Sequence, residues 1–268
     1  MDIRYLIFDK KNIVHWFFGI ILLSFMLSSC SLTPSIIREY DLKSVDKENI
    51  LSSIERNYAG IESISGRCKI NFYSPSPKRS EGFIYYNQSD SLYIEINGLV
   101  GETEAKIFLR PDSFFVDNYF ENFYIKDIRE NFTLNRVAEV DISMDYILNN
   151  SLFGYEKIDV KDIFEISEVD EEQIILKITD HKDNDFYKIV TLNNNLLFTS
   201  VKYYKIDRYA SIGNVETLEF EKKFDYFFDE KQYRLPRFIV FKKKKSKQKL
   251  SIFFEGYEVN RFIDLENR

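Results

Sequence analysis

Two cysteines and two histidines are the residues of this sequence best suited to nucleophilic or metal chemistry. Cys30 ends a run of apolar residues and is followed at once by polar ones. A cysteine thiol, in its thiolate form, is a nucleophile that can accept an acyl group. Cys68 alternates with polar residues in Cys-Lys-Ile-Asn-Phe, which predicts a buried strand position rather than a reactive thiol. With Cys30 acylated, no disulfide could form, and the fold would depend on core packing.

The remaining chemistry-bearing residues give no catalytic pattern. His15 lies within the apolar run, and His181 lies in the charged stretch Thr-Asp-His-Lys-Asp-Asn-Asp without a second ligand at zinc-site spacing. The sequence contains neither a G-x-S-x-G elbow nor a G-x-x-x-x-G-K-[ST] phosphate loop. We therefore expect no enzyme activity, no catalytic residues, no metal site and no cofactor.

The residues before Cys30 have the order of a secretory signal. Arg4, Lys10 and Lys11 precede the apolar stretch Ile13–Leu27, which is shorter than the ~20 residues that a membrane span requires. The following Leu27-Ser28-Ser29-Cys30 resembles a bacterial lipobox. That resemblance implies cleavage before Cys30 and acylation of both its thiol and its new amine.

Two other interpretations of the apolar stretch stay open, namely an uncleaved membrane anchor and a core helix of a soluble protein. With cleavage, the predicted organisation is a signal peptide over 1–29, a linker over 30–43 and one domain over 44–268. The net charge of −6 argues against binding to nucleic acid or to an anionic membrane.

The domain is predicted to be mainly β. Spacing near the helical period predicts a helix over Ser44–Tyr58, and Asp141–Phe153 has the pattern of a short amphipathic helix that ends near Gly154. Between and after these helices, alternating runs punctuated by turn residues predict antiparallel strands. The runs are Cys68–Phe72, Leu92–Ile96, Ala105–Leu109, Gln173–Thr179, Phe186–Leu192, Leu196–Ile206, Val215–Phe228, Arg237–Lys243 and Lys249–Val259. We expect one long sheet with two helical insertions, and such a sheet must curl or be covered.

Several short motifs, taken in order, resemble the LolA/LolB superfamily of bacterial lipoprotein carriers and receptors, and in particular its LolB-like, lipid-anchored outer-membrane branch. They extend over about residues 44 to 262. The motifs are Ser65-Gly66-Arg67, Gly82-Phe83-Ile84-Tyr85-Tyr86, Ile96-Asn97-Gly98-Leu99-Val100-Gly101, YILNNSLFG at 146–154, YRLPRFIVF at 233–241 and LSIFFEGYEVN at 250–260. The charged hairpin Lys242–Lys249 departs from the family pattern, and so does the absence of the proline that often precedes Leu-Gly in the receptors.

The resemblance implies a half-open barrel, a single curled antiparallel sheet of about eleven strands with a helical lid. The space between sheet and lid would hold acyl chains of lipoproteins or other lipids. It also implies a periplasmic LolA-like carrier as partner and attachment to the outer membrane through the N-terminal lipid, facing the periplasm. Ser31 after the cysteine resembles outer-membrane sorting in proteobacteria.

Specific residues follow from the resemblance. Cys30 would carry the lipid, and Leu99 with Val100 would form a loop that inserts lipids into the membrane, although an ordinary hairpin with a partly buried leucine explains the same residues. The candidate lipid-cavity residues are Phe83, Tyr85, Ile94, Ile96, Ile107, Leu109, Tyr146 and Ile147. Plain core packing is the alternative for each of them.

Two functional alternatives to lipoprotein insertion stay open. The same fold could serve a non-catalytic envelope assembly or accessory lipoprotein that binds a partner protein, or, with less support, a lipid-processing enzyme. The lysines of Lys242–Lys249 could contact lipid phosphates or an acidic carrier, or form a solvated hairpin tip.

Overall fold

Fourteen β-strands form one antiparallel sheet that does not close on itself. In the computed structural model, β1 pairs with β2 on one side and with β13 on the other, so the sheet consists of two meanders, β1–β6 and β7–β13, joined along one seam. The short β14 pairs with the start of β1. The structure describes residues 42, 46–74, 76–89, 91–98, 100–134, 142, 147, 150–159, 161–209, 214–230 (backbone only from 226), 233–261 and 263.

The strand bounds in chain order are as follows. They are β1 Ser63–Tyr73, β2 Pro77–Asn87, β3 Leu92–Asn97, β4 Thr103–Leu109, β5 Ser113–Asn118, β6 Phe123–Ile128, β7 Ile163–Val169, β8 Gln173–Thr179, β9 Phe186–Asn193, β10 Phe198–Asp207, β11 Val215–Glu230, β12 Tyr233–Lys243, β13 Gln248–Phe254 and β14 Glu258–Val259. The predicted antiparallel, open sheet is confirmed. The strand number of about eleven is corrected to fourteen.

Four strands have no counterpart among the predicted runs, namely β2, β5, β6 and β7, although the motif Gly82–Tyr86 lies within β2. The two edge strands β6 and β7 show why, because an edge strand without a covered face lacks the apolar alternation that marks a strand. Most residues of β7 are exposed, and those of β6 alternate between exposed and half-buried.

One α-helix is present among the described residues, α1 over Lys47–Tyr58. Asp46 caps it, its carboxylate accepting a hydrogen bond from the Asn49 backbone N–H at 2.8 Å. Ile50, Ile54 and Tyr58 are spaced four residues apart and form the buried face. The predicted helix is therefore confirmed, with a start at Lys47. No described helix has the length and apolar character that a membrane crossing would need.

The second predicted helix, Asp141–Phe153, lies largely outside the described residues. Its described end is a short 3-10 helix, Ser151–Phe153, which stops at Gly154 with φ +89°. A Cβ on Gly154 would lie 2.6 Å from Cδ of Pro236, so both the backbone angle and the space require glycine there. We call residues 150–156 the cover segment, since they lie over one face of the sheet together with α1.

The two faces of the sheet differ in what packs on them. On the covered face, alternate strand residues join the buried residues of α1 and the cover segment in one large apolar core. On the outer face, a second and smaller cluster contains Tyr85, Tyr93 and Phe108, which lie opposite one another on β2, β3 and β4. Successive residues of one strand thus belong to different clusters, because their side chains point to opposite faces of the sheet.

Candidate functional site

A small apolar cavity lies between the sheet and its cover. Its volume is about 20 Å³. The twelve residues around it are all apolar, namely Ile70, Phe72, Ile84, Leu92, Ile94, Ile96, Ile107, Leu134, Ile147, Leu152, Leu250 and Ile252. Seven of them come from strands β1–β4 and two from β13, so the cavity lies at the seam between the two meanders.

Four of the predicted cavity residues line this space: Ile94, Ile96, Ile107 and Ile147. Leu109 is buried in the covered-face core without lining the cavity. Tyr146 lies outside the described residues, as does Leu99.

Phe83 and Tyr85 lie on the outer face and do not line the cavity. The register of β2 against β3 gives the reason, because Ile84 is opposite Ile94 and therefore shares its face. The motif Gly82-Phe83-Ile84-Tyr85-Tyr86 offers two alternating sets of apolar residues, and the sequence alone does not say which set faces the core. The pairing of Ile84 with Ile94 shows that the set with Ile84 faces the core.

The cavity is too small for an acyl chain in this conformation. A cavity needs ~10–15 Å³ of such space to hold one water molecule, so this one holds about one small group. The lining offers no polar partner to water. Access for a lipid therefore depends on the cover segment.

Aromatic packing holds the cover segment on the sheet and on α1. The ring of Phe153 lies 4.8 Å from that of Tyr86 on β2, and Tyr155 stacks on Tyr58 of α1 at 4.4 Å. The Tyr58 hydroxyl donates a hydrogen bond to the carbonyl oxygen of Gly154 at 3.0 Å. Leu152 and Phe153 are fully buried.

A buried ion-pair network attaches the end of the cover segment to β11 and β9. The Lys222 ammonium donates to Glu156 Oε2 at 2.6 Å and to Ser151 Oγ at 2.8 Å, and the side chains of Lys222 and Glu156 are both 0% exposed. Lys188 donates to the other carboxylate oxygen, Glu156 Oε1, at 3.0 Å. Both ammonium groups also lie over the ring of Tyr203, at 5.2 Å and 5.6 Å from its centroid.

The electrostatics of this network favour an ionised Glu156. Burial by itself would raise the pKa of this carboxyl, but the charges of Lys222 and Lys188 and their hydrogen bonds outweigh it and lower the pKa. Sequence reasoning missed the network. The available signal was Lys222 itself. It lies two residues from both Phe220 and Phe224, so it shares their face of β11, which is the face toward the core.

The loop between β3 and β4 exposes an apolar side chain. The backbone N–H of Gly98 bonds to the Glu102 carbonyl at 2.8 Å, and that of Gly101, with φ +86°, bonds to the Gly98 carbonyl at 3.0 Å. Val100 at its tip is 88% exposed. The predicted position of the loop between the third and fourth strands is confirmed.

Asp162, Asp180 and His181 bring their ligand atoms within 4.8 Å of one another. Asp162 Oδ1 accepts a hydrogen bond from the His181 backbone N–H at 3.2 Å and lies 2.9 Å from His181 Nδ1. These contacts tie the start of β7 to the end of β8, which is a structural role. The sequence did not indicate Asp162, because this residue lies just before β7 and is 19 positions away from His181 along the chain.

Of the two cysteines, Cys30 lies outside the described residues. Cys68 is buried in β1 with a free thiol, as predicted. Burial, followed by the charge of Glu255, raises the pKa of this thiol to about 12, so it stays protonated and weakly nucleophilic at neutral pH.

The fold is similar to those of three solved structures. A LolA superfamily protein from Nitrosomonas europaea aligns with a TM-score of 0.52 at 12% identity, over 82% of this chain and 96% of that chain. A DUF1329 family protein from Desulfovibrio piger aligns with a TM-score of 0.56 at 11% identity, over 81% and 94%. An outer membrane lipoprotein-sorting protein domain from Vibrio parahaemolyticus aligns with a TM-score of 0.55 at 7% identity, over 81% and 94%.

No protein-family model matches the sequence, and neither does any curated protein. At these identities the likeness concerns the fold. It confirms the kind of fold that the motif resemblance implied.

Proposed function

We propose that this chain, which has the fold of the LolA superfamily, is anchored in the outer membrane through a lipid on Cys30 and holds acyl chains of lipoproteins or other lipids between its sheet and its cover. The observation that carries the proposal is the cavity, whose twelve lining residues are all apolar. A LolA-like carrier would deliver the lipid from the periplasm, and the chain would help insert it into the membrane.

An apolar site of this kind has a clear energetic use. Three acyl chains contain on the order of 40 methylenes, and each methylene favours a buried site by ~0.8 kcal/mol, so leaving a membrane for water costs about 30 kcal/mol. Only an apolar enclosure removes that cost during transfer. The cavity lining supplies isoleucine, leucine and phenylalanine side chains and no polar group that a hydrocarbon would leave unpaired.

Loading requires the cover segment to move, because the closed cavity measures about 20 Å³. Asn150 and Gly154 flank the 3-10 helix with φ of +56° and +89°, and both residue types tolerate the left-handed region. They are the positions at which the backbone can change direction at low cost. The network around Glu156 fixes the far end of the segment, and opening has to break the Lys222–Ser151 hydrogen bond of the same network.

The loop with Leu99 and Val100 is proposed to enter the bilayer during lipid release. Val100 projects into solvent and makes the apolar character of this tip accessible. Delivery to the membrane would follow from contact between this loop and the lipid surface.

A second candidate function is an accessory lipoprotein that binds a partner protein and leaves its cavity empty. The small volume of the closed cavity is what this function would also require. The contents of the cavity separate the two candidates.

Replacing Ile94 by glutamine is expected to reduce acyl-chain binding by about tenfold, because the amide would be buried without a partner in an apolar site. The measurement is native mass spectrometry of protein purified from membranes, together with displacement of a fluorescent fatty acid. Phe83→Gln is the matched control, since Phe83 is also half-buried but lies on the outer face. Wild-type protein that carries no lipid in repeated detergent-free preparations would favour the accessory function.

Cys30 is expected to carry two or three acyl chains at the N-terminus of the mature protein. Intact-mass analysis of the membrane-extracted protein measures this directly, and Cys30→Ser should abolish the mass increment. An intact Met1 would show that the apolar stretch is an uncleaved anchor.

A further inference from the structure

Six of the hairpin turns lie along the same edge of the sheet. All neighbouring strands are antiparallel, so the turns that join β1 to β2, β3 to β4, β5 to β6, β8 to β9, β10 to β11 and β12 to β13 share one end. We call this row of turns the hairpin rim. Strands are spaced by ~4.8 Å, so adjacent turns follow one another at about 10 Å.

The two central turns of the rim are strongly basic. The turns β1–β2 and β12–β13 are neighbours because Tyr73 pairs with Lys249, and Gln248 donates a hydrogen bond to Ser74 Oγ at 2.9 Å. Residues 73–80 and 242–250 contain eight basic residues and no acidic one, in a chain of net charge −6. Eight of the 37 basic residues thus lie on two adjacent turns that carry no acidic residue between Tyr73 and Ser80 or between Lys242 and Leu250.

The turns beside this basic pair expose large apolar side chains. Tyr209 is 96% exposed, Val100 88% and Phe120 79%, and these are the three most exposed large apolar residues in the part of the chain that the structure describes. They lie on three different turns of the rim, β10–β11, β3–β4 and β5–β6. Tyr119, next to Phe120, is half exposed.

We propose that the hairpin rim docks on an anionic lipid bilayer, with its lysines against the phosphates and Phe120, Val100 and Tyr209 in the headgroup region. Basic side chains near a membrane gain attraction to anionic lipids, and aromatic side chains favour the interface between headgroups and hydrocarbon. This docking rests on the rim alone and does not depend on acyl-chain binding in the cavity.

The arrangement fits a bilayer better than an acidic protein. A protein interface has a contiguous apolar centre surrounded by a polar border. Here the basic residues are central, and single apolar side chains stand on separate turns to either side. Such a row can enter a fluid surface at several points at once.

The test places an environment-sensitive fluorophore on the rim. The full chain with Cys30→Ser and Ser246→Cys is labelled and reconstituted in phosphatidylcholine vesicles with or without phosphatidylglycerol; the buried Cys68 stays unlabelled. We expect emission from position 246 to rise severalfold only with phosphatidylglycerol and to fall again at high salt. A fluorophore at Ser89→Cys, exposed in the β2–β3 turn at the opposite end, should not respond.

Charge variants complete the test. Replacing Lys244, Lys245 and Lys247 by glutamine should weaken docking by at least about tenfold, given the contribution of each lysine near an anionic surface. A control with the same charge change away from the rim, Arg56, Lys157 and Lys202 to glutamine, should dock like the parent. Equal emission in both lipids, equal response at position 89, or a response to polyglutamate and not to vesicles would overturn the proposal.

Discussion

Replacing Glu156 by glutamine is expected to lower the free energy of unfolding by about 3–5 kcal/mol, the usual cost of breaking a buried ion pair from one side. The variant keeps the size of the side chain but leaves the fully buried Lys222 without its carboxylate. Ser151 alone cannot compensate the charge. Urea unfolding followed by circular dichroism measures the difference.

Two control variants test this explanation. Glu156→Gln combined with Lys222→Met should recover much of the loss, because the fully buried ammonium is then gone and only the partly exposed Lys188 has lost its carboxylate. Lys69→Met removes an ion pair to Glu255 whose members are 51% and 46% exposed, and it should cost no more than about 1 kcal/mol. A loss below that level for Glu156→Gln would contradict the assigned role of the network.

The same pair makes stability depend on pH in a defined direction. Because folding lowers the pKa of Glu156, its contribution is present above the unfolded pKa of ~4.3 and is lost as pH falls through the lower folded pKa. The difference in unfolding free energy between wild type and Glu156→Gln should therefore shrink in acid and be constant near neutral pH.

Leu99→Glu is expected to abolish release of bound lipoprotein into acceptor membranes while leaving the fold intact. A carboxylate in the sequence between β3 and β4 would have to be desolvated on entering the bilayer, which opposes insertion. Transfer from a loaded protein to vesicles, measured by flotation, gives the release, and circular dichroism monitors folding.

Ile128→Glu is the matched control for the loop. Ile128 is an exposed apolar residue and the last residue of β6. It lies at the end of the strands that is opposite to the β3–β4 loop. Its replacement adds the same charge and should leave release unchanged. Normal release by Leu99→Glu would remove the loop from the mechanism.

The part of the fold that the sequence revealed was the part with strict alternation. Gln173–Thr179 was predicted with its observed bounds, since Ile174, Leu176 and Ile178 alternate with half-buried residues throughout. The strand β7 was not predicted, because as an edge strand it buries mainly Phe164. Apolar alternation arises because one face of a strand is buried. A strand with little buried surface therefore shows no such pattern in its sequence.

The candidate site was recovered in part for a related reason. Ile94, Ile96 and Ile107 belong to strands with one apolar set each, and they line the cavity. In β2 both sets are apolar, and only the pairing of Ile84 with Ile94 tells them apart. The Glu156 network joins residues that are far apart in sequence. The pattern of residue types along the chain does not show which of them meet in the fold.

The seam between the two meanders has a consequence for how the chain reaches this fold. Each meander contains only pairings between consecutive strands, whereas the pairing of Ile70 with Ile252 joins the two ends of the domain. Closing so long a loop has a high entropic cost before any contact offsets it, and topologies with distant contacts fold slowly. The cavity lies across this seam, with Ile70 on one side and Ile252 on the other. We therefore expect its assembly to come late in folding, after both halves of the sheet have formed.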